Sequence, residues 1–268
     1  MSYQLLVLDI DGTVNDSEQR VTAKTKRSVI DLQRRGVRVV LASGRPPLGI
    51  FPVASELKLD QFGSYIMAFN GAKIMEYGQG RCIFERHLPF HLPARLWEDV
   101  RRYEVGFAAY HGDVIVAGTR PDQYLKLESE ICKMTVEYRE RFGAYVDFPV
   151  SECLITGEPE ELEMLEMDLS HKYVHEAQLF HSEPHYLEVT PKNVDKAYGL
   201  KHLLKILHIP RENTVCCGNS FNDRTMIQYA GVGVAMANAV EPLKIVADYV
   251  TVNDNDHDGI AEVIERFF

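Results

Sequence analysis

The sequence predicts an α/β fold: a doubly wound parallel sheet with an α+β domain inserted into it. Leu5–Leu8 and Val37–Ala42 are apolar runs that each end abruptly at polar residues, and Thr214–Gly218 repeats the pattern late in the chain. Unbroken apolar runs of this length are typical of parallel strands buried on both faces. Amphipathic helical segments lie between such runs, and strand–helix–strand alternation favours a parallel sheet.

The spacing of the motifs indicates two domains. A helix after Thr22 is expected to stop near Gly36, a good residue for a helix end. Between Ser43 and Lys196 the chain is too long for a single crossover, so we expect residues 1–83 and 188–268 to form the core and residues 84–187 to form the inserted domain. The inserted part contains strand-like segments at Phe107–Tyr110, Val114–Ala117 and Cys153–Thr156 and helical segments at Tyr124–Cys132 and Pro159–His171.

Composition narrows the classes of function. The 268 residues carry a net charge of −10 and no long basic run, which argues against nucleic-acid or anionic-membrane binding through a basic patch. No apolar stretch reaches spanning length, and no signal peptide is evident. Five cysteines without a CxxC pattern favour reduced thiols. We therefore expect a cytoplasmic protein that binds neither nucleic acid nor a membrane, and the sequence is silent on its oligomeric state.

Two carboxylates follow the first apolar run, at Asp9 and Asp11, and Gly12 comes next. In open α/β sheets, ligands bind at the carboxyl ends of the strands. Carboxylates two residues apart can share one hard cation, or one can act as a nucleophile and the other as a general acid or base. The alternative is an ordinary turn at a strand end, where Asp and Gly are common.

Three further segments favour the chemical interpretation. Ser43, Gly44 and Arg45 follow the second run, and a hydroxyl, an amide and a guanidinium suit a tetrahedral oxyanion. Lys196 begins an amphipathic helix, where a cation is unfavourable for the helix dipole unless a ligand phosphate compensates. The third run leads into a polar turn that contains Asn219, Asn222 and Asp223.

Taken in order, these segments resemble the haloacid dehalogenase-like phosphatase superfamily, and within it the Cof-type sugar-phosphate phosphatases. The chain matches the family's motifs over nearly its whole length. The matching segments are Asp9–Thr13 for DxDGT, Ser43–Pro46 for [ST]GRP, Phe69–Ala72 for the NGA element, Val194–Lys196 for the lysine motif, Asn222–Ala239, and Asp258–Ile260.

The resemblance implies a role for each motif residue. Asp9 would attack phosphorus and form an aspartyl phosphate, and Asp11 would act as general acid and then general base. The substrate phosphate would be held by the basic, hydroxyl and amide groups at the other motif positions, namely Ser43, Gly44, Arg45, Asn70, Gly71, Lys196 and Asn222. Mg²⁺ would be held by Asp9, Asp11, Asn219 and Asp223. The inserted domain would form a cap over the catalytic face.

Two positions depart from the family pattern. Asn219 stands where relatives often have an aspartate that binds Mg²⁺, so the amide oxygen supplies a ligand without a negative charge. Glu152 stands where relatives often have a lysine in the inserted domain, and that lysine's role is not transferred here. The expected function is a Mg²⁺-dependent phosphatase of small phosphorylated metabolites such as sugar phosphates. The alternatives are a phosphomutase or phosphotransferase of the same superfamily and a catalytically weakened phospho-metabolite-binding protein.

A competing motif lies near the end of the chain. Asp254–Gly259 followed by Glu265 satisfies the pattern of an EF-hand calcium loop. An EF-hand needs a helix before the loop, whereas Tyr249–Val252 has the character of a strand. We therefore expect an acidic turn before a final helix rather than a calcium site.

Overall fold

The computed structural model describes residues 3–268, and these fold into two compact units. The strands are β1 (Leu5–Leu8), β2 (Arg38–Ala42), β3 (Tyr65–Ala68), β4 (Lys73–Glu76), β5 (Arg81–Glu85), β6 (Gly106–His111), β7 (Val114–Ala117), β8 (Thr135–Tyr138), β9 (Cys153–Thr156), β10 (Ala177–Glu183), β11 (Tyr186–Pro191), β12 (Thr214–Gly218), β13 (Val232–Ala235) and β14 (Tyr249–Val250). The helices are α1 (Ala23–Arg34), α2 (Pro47–Glu56), α3 (Leu92–Val100), α4 (Gln123–Cys132), α5 (Phe142–Tyr145), α6 (Pro159–Lys172), α7 (Lys196–Leu207), α8 (Arg224–Tyr229), α9 (Glu241–Lys244) and α10 (Gly259–Phe267).

The first unit comprises the described residues up to Phe84 together with Asp195–Phe268. Its sheet has eight strands in the order β14-β13-β12-β1-β2-β3-β4-β5. The six strands from β14 to β3 are parallel, and β4 runs antiparallel to β3. The predicted doubly wound parallel core is therefore confirmed, and the structure adds an edge of two strands that the motifs did not indicate.

The order of the strands determines where this unit can bind a ligand. From β1 the chain winds outward through β2 and β3 on one side, and β12, β13 and β14 lie on the other side. The direction of winding therefore reverses between β1 and β12. In doubly wound sheets, the crevice at such a reversal, beyond the carboxyl ends of the strands, is the usual ligand site.

Local sequence explains the boundaries of the helices that flank this sheet. Thr22 caps α1 by accepting a hydrogen bond from the Thr25 amide at 3.3 Å, and the chain turns away at Gly36 with φ of 88°. Asp195 caps α7 in the same way, accepting from the Tyr198 amide at 2.7 Å. Such caps satisfy amides that the first helical turn leaves without partners.

The second unit comprises Glu85–Val194 and is an α+β fold. Its six strands have the order β10-β11-β9-β6-β7-β8 and are antiparallel except for β7 and β8. Trp97 is buried in this unit and donates from Nε1 to the Gly118 carbonyl at 2.7 Å. Its neighbours include Phe142, with ring centroids 6.2 Å apart.

The structure corrects the expected domain boundary. Residues 188–194 were assigned to the core from the sequence, but Glu188 and Val189 pair with Leu154 and Cys153 in the second sheet. The first unit resumes at Asp195 instead. The lysine motif thus begins directly at the boundary, and the strand that precedes it belongs to the second unit. Within residues 3–268, no helix combines the length and apolar character needed to cross a membrane.

Candidate active site

Four parallel strands of the first unit deliver the predicted residues to one edge of the sheet. Asp9 follows β1, Ser43 follows β2, Asn70 follows β3 and Asn219 follows β12. Main-chain hydrogen bonds continue the pairing past the strand ends, since the Asp9 amide donates to the Cys217 carbonyl at 3.0 Å and the Asn70 amide donates to the Ser43 carbonyl at 3.0 Å. Residues far apart in sequence therefore converge at the carboxyl edge.

The turn after β1 requires a glycine. Gly12 has φ of 71°, and a Cβ atom there would lie 2.4 Å from Nδ2 of Asn219. The Gly12 carbonyl accepts a hydrogen bond from Asn238 Nδ2 at 2.9 Å. The close approach of this turn to Asn219 brings the first and last motifs together, and only glycine has neither the steric clash nor the backbone strain.

Lys196 lies fully buried between two carboxylates. Its Nζ donates to Asp9 Oδ1 and to Asp223 Oδ1, each at 2.7 Å. Lys196 and Asp223 are wholly inaccessible to solvent, and Asp9 is 6% exposed. A buried charge is tolerated when it is paired and hydrogen-bonded. The position of Lys196 at the start of α7 is thus explained by its two acidic partners.

These contacts set the protonation of the site. Burial raises the pKa of Asp9 to about 7, and repulsion from Asp223 adds to this effect, while Lys196 opposes it by attraction and by its hydrogen bond. Burial would lower the pKa of Lys196, but attraction to Asp223 and Asp9 raises it overall. Lys196 is therefore a permanent cation. A further positive charge beside Asp9 would favour its ionised form.

Asp11 and Arg45 form a two-point ion pair. Arg45 donates from Nε to Asp11 Oδ2 at 2.9 Å and from Nη2 to Asp11 Oδ1 at 2.5 Å. Arg45 is itself anchored by the Gly49 carbonyl at 3.2 Å and by Gln19 Oε1 at 3.0 Å. The sequence predicted that Arg45 binds the substrate phosphate; in the structure Arg45 is paired with the Asp11 carboxylate and orients it.

Four of the remaining predicted substrate-binding residues form two pairs. Ser43 is buried, and its Oγ accepts a hydrogen bond from the Arg45 amide at 3.1 Å, while Gly44 between them is partly exposed. Asn70 and Asn222 are joined by a hydrogen bond from Asn222 Nδ2 to Asn70 Oδ1 at 3.1 Å.

Gly71, the last of the predicted substrate-binding positions, serves close packing. A Cβ at Gly71 would lie 2.4 Å from the Asp195 carbonyl oxygen, and its φ is 96°. Gly71 therefore lets the turn after β3 approach the start of α7, which carries Lys196. The structure favours this packing role over direct contact with a substrate.

The turn after β12 holds Asp223 in place. Asp223 Oδ2 accepts from the Asn219 amide at 2.9 Å and from the Ser220 amide at 3.0 Å, while Oδ1 accepts from Lys196. Asp223 and Lys196 are fully buried, whereas Asn219 and Ser220 are partly exposed. The sequence proposed Asp223 as a metal ligand; with both oxygens engaged in this way, the structure favours a supporting role, in which Asp223 fixes Lys196 and the turn.

The side chain of Asn219 is held by Thr13, a residue with no role predicted from the sequence. Thr13 Oγ1 donates to Asn219 Oδ1 at 3.1 Å, which orients the amide oxygen. Asn238, which anchors the Gly12 carbonyl, was likewise given no role. Thr13 lies in the DxDGT segment and Asn238 lies in the Asn222–Ala239 segment. Their membership of these motifs is the signal that could have identified them from the sequence.

The donor set at this edge fits a hard divalent cation. Asp9 Oδ1 is bound by Lys196, and no donor among residues 3–268 reaches Oδ2. The Asn219 amide oxygen accepts one bond and can accept another ligand. Within the described residues, no cluster of three or more His, Cys, Asp or Glu side chains is arranged to hold a metal ion. A cation here would thus depend on main-chain and amide oxygens as well as Asp9, which is compatible with Mg²⁺.

The EF-hand-like segment is an acidic turn, as expected. The carboxylates of Asp256 and Asp258 are directed to different partners: Asp256 accepts from the Ser17 amide and hydroxyl at 2.7 and 2.8 Å, and Asp258 accepts from Thr22. Glu265 lies within α10 and pairs with Lys24 at 3.1 Å. These carboxylates therefore do not converge on one ion.

Comparison with known proteins identifies the family. Residues 6–264 match the model of a family described as haloacid dehalogenase-like hydrolase. The chain belongs to this family. A crystal structure of a haloacid dehalogenase-like hydrolase from Bacteroides thetaiotaomicron is 38% identical, with a TM-score of 0.94 and full coverage of both chains. The membership and the fold class inferred from the sequence are thereby confirmed.

Two curated relatives match this chain over nearly their whole length. YkrA of Bacillus subtilis is 31% identical over 269 residues, which cover 99% of this chain and 98% of YkrA. The protein named 5-amino-6-(5-phospho-D-ribitylamino)uracil phosphatase YcsE, from the same organism, is 28% identical over an alignment that covers 100% of this chain and 96% of YcsE. The family and these relatives support the assignment of the chain as a phosphatase hydrolase.

Proposed function

We propose that this family member is a Mg²⁺-dependent phosphatase that hydrolyses small phosphorylated metabolites, most suitably sugar phosphates, through an aspartyl-phosphate intermediate. The observation that carries the proposal is the buried Lys196, hydrogen-bonded to Asp9 and Asp223 next to the Asp11–Arg45 pair. One carboxylate is held by a permanent cation and the other by a guanidinium, so two adjacent acids have different environments and can have different roles.

In the first step, a carboxylate oxygen of Asp9 attacks phosphorus, and the bond from phosphorus to the leaving oxygen breaks. Asp11, 43% exposed in its side chain, takes up a proton from solvent when one of its oxygens leaves Arg45, and donates that proton to the leaving alkoxide. In the second step, Asp11 removes a proton from water, which attacks phosphorus, releases phosphate and restores Asp9. Lys196 stabilises negative charge on Asp9 and the transferring group, and Ser43 and the Gly44 amide would bind phosphoryl oxygens.

Mg²⁺ would be held by the Asp9 carboxylate, the Asp11 main-chain carbonyl and the Asn219 amide oxygen. When bound, it would neutralise charge on the phosphoryl group. Asp9 has an oxygen that receives no hydrogen bond from the described residues, and Asn219 presents an oriented amide oxygen. This oxygen-only set is the support for Mg²⁺ over softer metals.

The substrate class is proposed from the family and its relatives. YcsE is named for a phosphorylated ribityl compound, which supports a small, polyhydroxylated phosphate monoester as the substrate here. A cytoplasmic location is proposed from the cysteine content: five cysteines without a CxxC pattern, four of them buried, favour reduced thiols.

The test is phosphate release by the purified chain from a panel of sugar phosphates with Mg²⁺, with Asp9→Asn as the catalytic control. Release that disappears in the variant supports the phosphatase. Conversion of one sugar phosphate to an isomer without free phosphate would indicate a phosphomutase, and binding without turnover would indicate a phospho-metabolite-binding protein. Trapping of labelled phosphate on the wild-type chain by acid quench, and its absence in Asp9→Asn, would test the covalent step.

A further inference from the structure

The charges at the carboxyl edge of the first sheet nearly cancel. Among the described residues, the ion pairs at this edge join three carboxylates, on Asp9, Asp11 and Asp223, to two cations, Lys196 and Arg45. The remaining oxygen donor, Asn219, is neutral. With all three carboxylates ionised, the group as a whole carries one net negative charge.

Both cations are fixed to the carboxylates. Lys196 is fully buried and contacts Asp9 and Asp223 at 2.7 Å, and Arg45 holds Asp11 through two hydrogen bonds. Separating Lys196 from its partners would leave a fully buried charge unpaired, which is costly, whereas the partly exposed Arg45–Asp11 pair is held by its two-point geometry. Asn219 is likewise fixed, because Thr13 donates to its amide oxygen. The near-neutral balance is therefore built into the folded site.

This balance of charge weakens the binding of a divalent cation without phosphate and of phosphate without the cation. A divalent cation is bound more tightly as the negative charge of its ligands increases, and here Asp9, its one carboxylate ligand by side chain, already shares its charge with Lys196. A phosphate dianion alone meets two cations, Lys196 and Arg45, that are already engaged by carboxylates. Each ligand brings the charge that the other needs, and the two attract each other in a partly buried environment.

Resting on the function proposed above, we infer that Mg²⁺ and the substrate's phosphoryl group bind to this protein cooperatively, and that neutral Asn219 makes the site weak for the cation until the phosphate is present. Thermodynamic linkage requires the effect to be reciprocal: the factor by which phosphate tightens the cation equals the factor by which the cation tightens phosphate. Coupling between sites is typically about 5–150-fold.

The experiment measures Mn²⁺ as a probe of the cation site, by the electron paramagnetic resonance signal of free Mn²⁺, with full-length protein in the absence and presence of saturating inorganic phosphate. Saturating phosphate is expected to lower the Mn²⁺ dissociation constant of the wild type by about tenfold or more. Calorimetric titration of phosphate with and without Mn²⁺ should give the same factor. A factor below about twofold in either direction overturns the inference.

Asn219→Asp adds the missing charge at the ligand position. It is expected to tighten Mn²⁺ binding in the absence of phosphate by about tenfold and to reduce the coupling factor accordingly. The matched control is Asn213→Asp, the same substitution at the opposite end of β12, which should leave Mn²⁺ affinity and coupling unchanged. Unaltered Mn²⁺ affinity in a folded Asn219→Asp protein, or an equal gain in the control, overturns the role of Asn219.

The wild-type measurement stands alone if a variant does not fold. It is also separate from turnover. Cooperative binding without hydrolysis of any phosphate ester would refute the proposed function and keep the inference. Hydrolysis with independent binding of Mn²⁺ and phosphate would refute the inference and keep the function.

Discussion

Arg45 grips both carboxylate oxygens of Asp11, with Nε 2.9 Å from Oδ2 and Nη2 2.5 Å from Oδ1. A planar guanidinium fixes both the position and the rotation of a carboxylate, and the point charge of a lysine cannot do so. The geometry makes Arg45 a positioning residue for the proposed general acid, in addition to its proposed contact with phosphate.

Arg45→Lys should therefore slow hydrolysis of sugar phosphates more than hydrolysis of p-nitrophenyl phosphate. A sugar alkoxide needs a proton as it leaves, whereas nitrophenolate does not. We expect a loss in kcat of about tenfold or more with the sugar phosphate, below the ~10²–10⁴-fold typical of losing a general acid altogether. Arg34→Lys, at an exposed pair with Asp31 (2.7 Å), is the matched control and should leave both rates unchanged. An equal loss on both substrates would assign Arg45 to phosphate binding alone.

Asp9→Asn should abolish turnover without loss of stability. The amide cannot act as nucleophile, and it also relieves a buried carboxylate whose pKa is raised by burial and by Asp223. Lys196 keeps Asp223 as its partner at 2.7 Å. The measurements are phosphate release and thermal unfolding, with the melting temperature expected to equal or exceed that of the wild type. Retained wild-type activity in a pure preparation would refute covalent catalysis by Asp9.

Asp11→Asn should show the same dependence on leaving group as Arg45→Lys, with a larger amplitude. We expect a loss of about 10²–10⁴-fold with sugar phosphates. With p-nitrophenyl phosphate the first step is spared, so the aspartyl phosphate should accumulate because its hydrolysis still needs a base. Acid-quenched samples would reveal labelled phosphate on the protein. A uniform loss without accumulation would move the acid–base role away from Asp11.

Lys196→Met should destabilise the protein strongly. Removal of the cation leaves Asp9 and Asp223 buried without a counter-charge, and breaking a buried ion pair in this way costs about 3–5 kcal/mol. Urea unfolding measures the loss. Lys205→Met, an exposed position on the same helix, is the control and should stay within about 0.5 kcal/mol of the wild type. A small loss at Lys196 would mean that water reaches the carboxylates.

Glu262 should make stability depend on acid pH. Burial alone would raise its pKa, but hydrogen bonds from the Tyr249 hydroxyl and from the amides of Val252 and Asn253 lower it below the ordinary value of 4.5. The ionised form is therefore favoured by folding. Its contribution is fully present above pH ~4.5 and is lost as the pH falls through the lowered pKa.

The corresponding measurement compares the free energies of unfolding of the wild type and Glu262→Gln between pH 3 and pH 7. The difference should be about 1 kcal/mol near neutrality, after allowance for solvent screening, and should shrink in acid. The control is Glu265→Gln. Glu265 lies on the same helix as Glu262 and forms an exposed ion pair with Lys24, so this variant should show little pH dependence. A difference that grows in acid would contradict the assignment.

The buried strands and the polar residues at their carboxyl ends could be predicted from the sequence. β1 and β12 are fully buried apolar runs, and their parallel pairing brings Asp9 and Asn219 to the same edge. Periodicity and strand-end chemistry are local properties, so they can be read without coordinates. Resemblance to the family then assigned roles to Lys196 and Asp223, whose mutual contact no local pattern indicates.

The parts that depend on tertiary contacts were not accessible. The bidentate pairing of Arg45 with Asp11 and the saturation of Asp223 by two amides depend on side-chain and turn geometry across distant segments. The second-unit boundary was placed too early because the strand at Glu188 resembles a core strand until its pairing with Leu154 is known. The near-cancellation of charge at the site could be recognised only from the positions of all five charged groups.

The distance in sequence between Asp9 and Lys196, 187 residues, also orders events during synthesis. The ribosome releases β1 early, whereas its neighbour β12 and the lysine beside Asp9 emerge only after the whole second unit. Until then β1 presents an unpaired edge and Asp9 has no cationic partner, and such late, non-local pairing slows folding. Under the proposed mechanism, a nascent or prematurely ended chain therefore has no hydrolytic centre, and metabolites meet the enzyme only once translation is essentially complete.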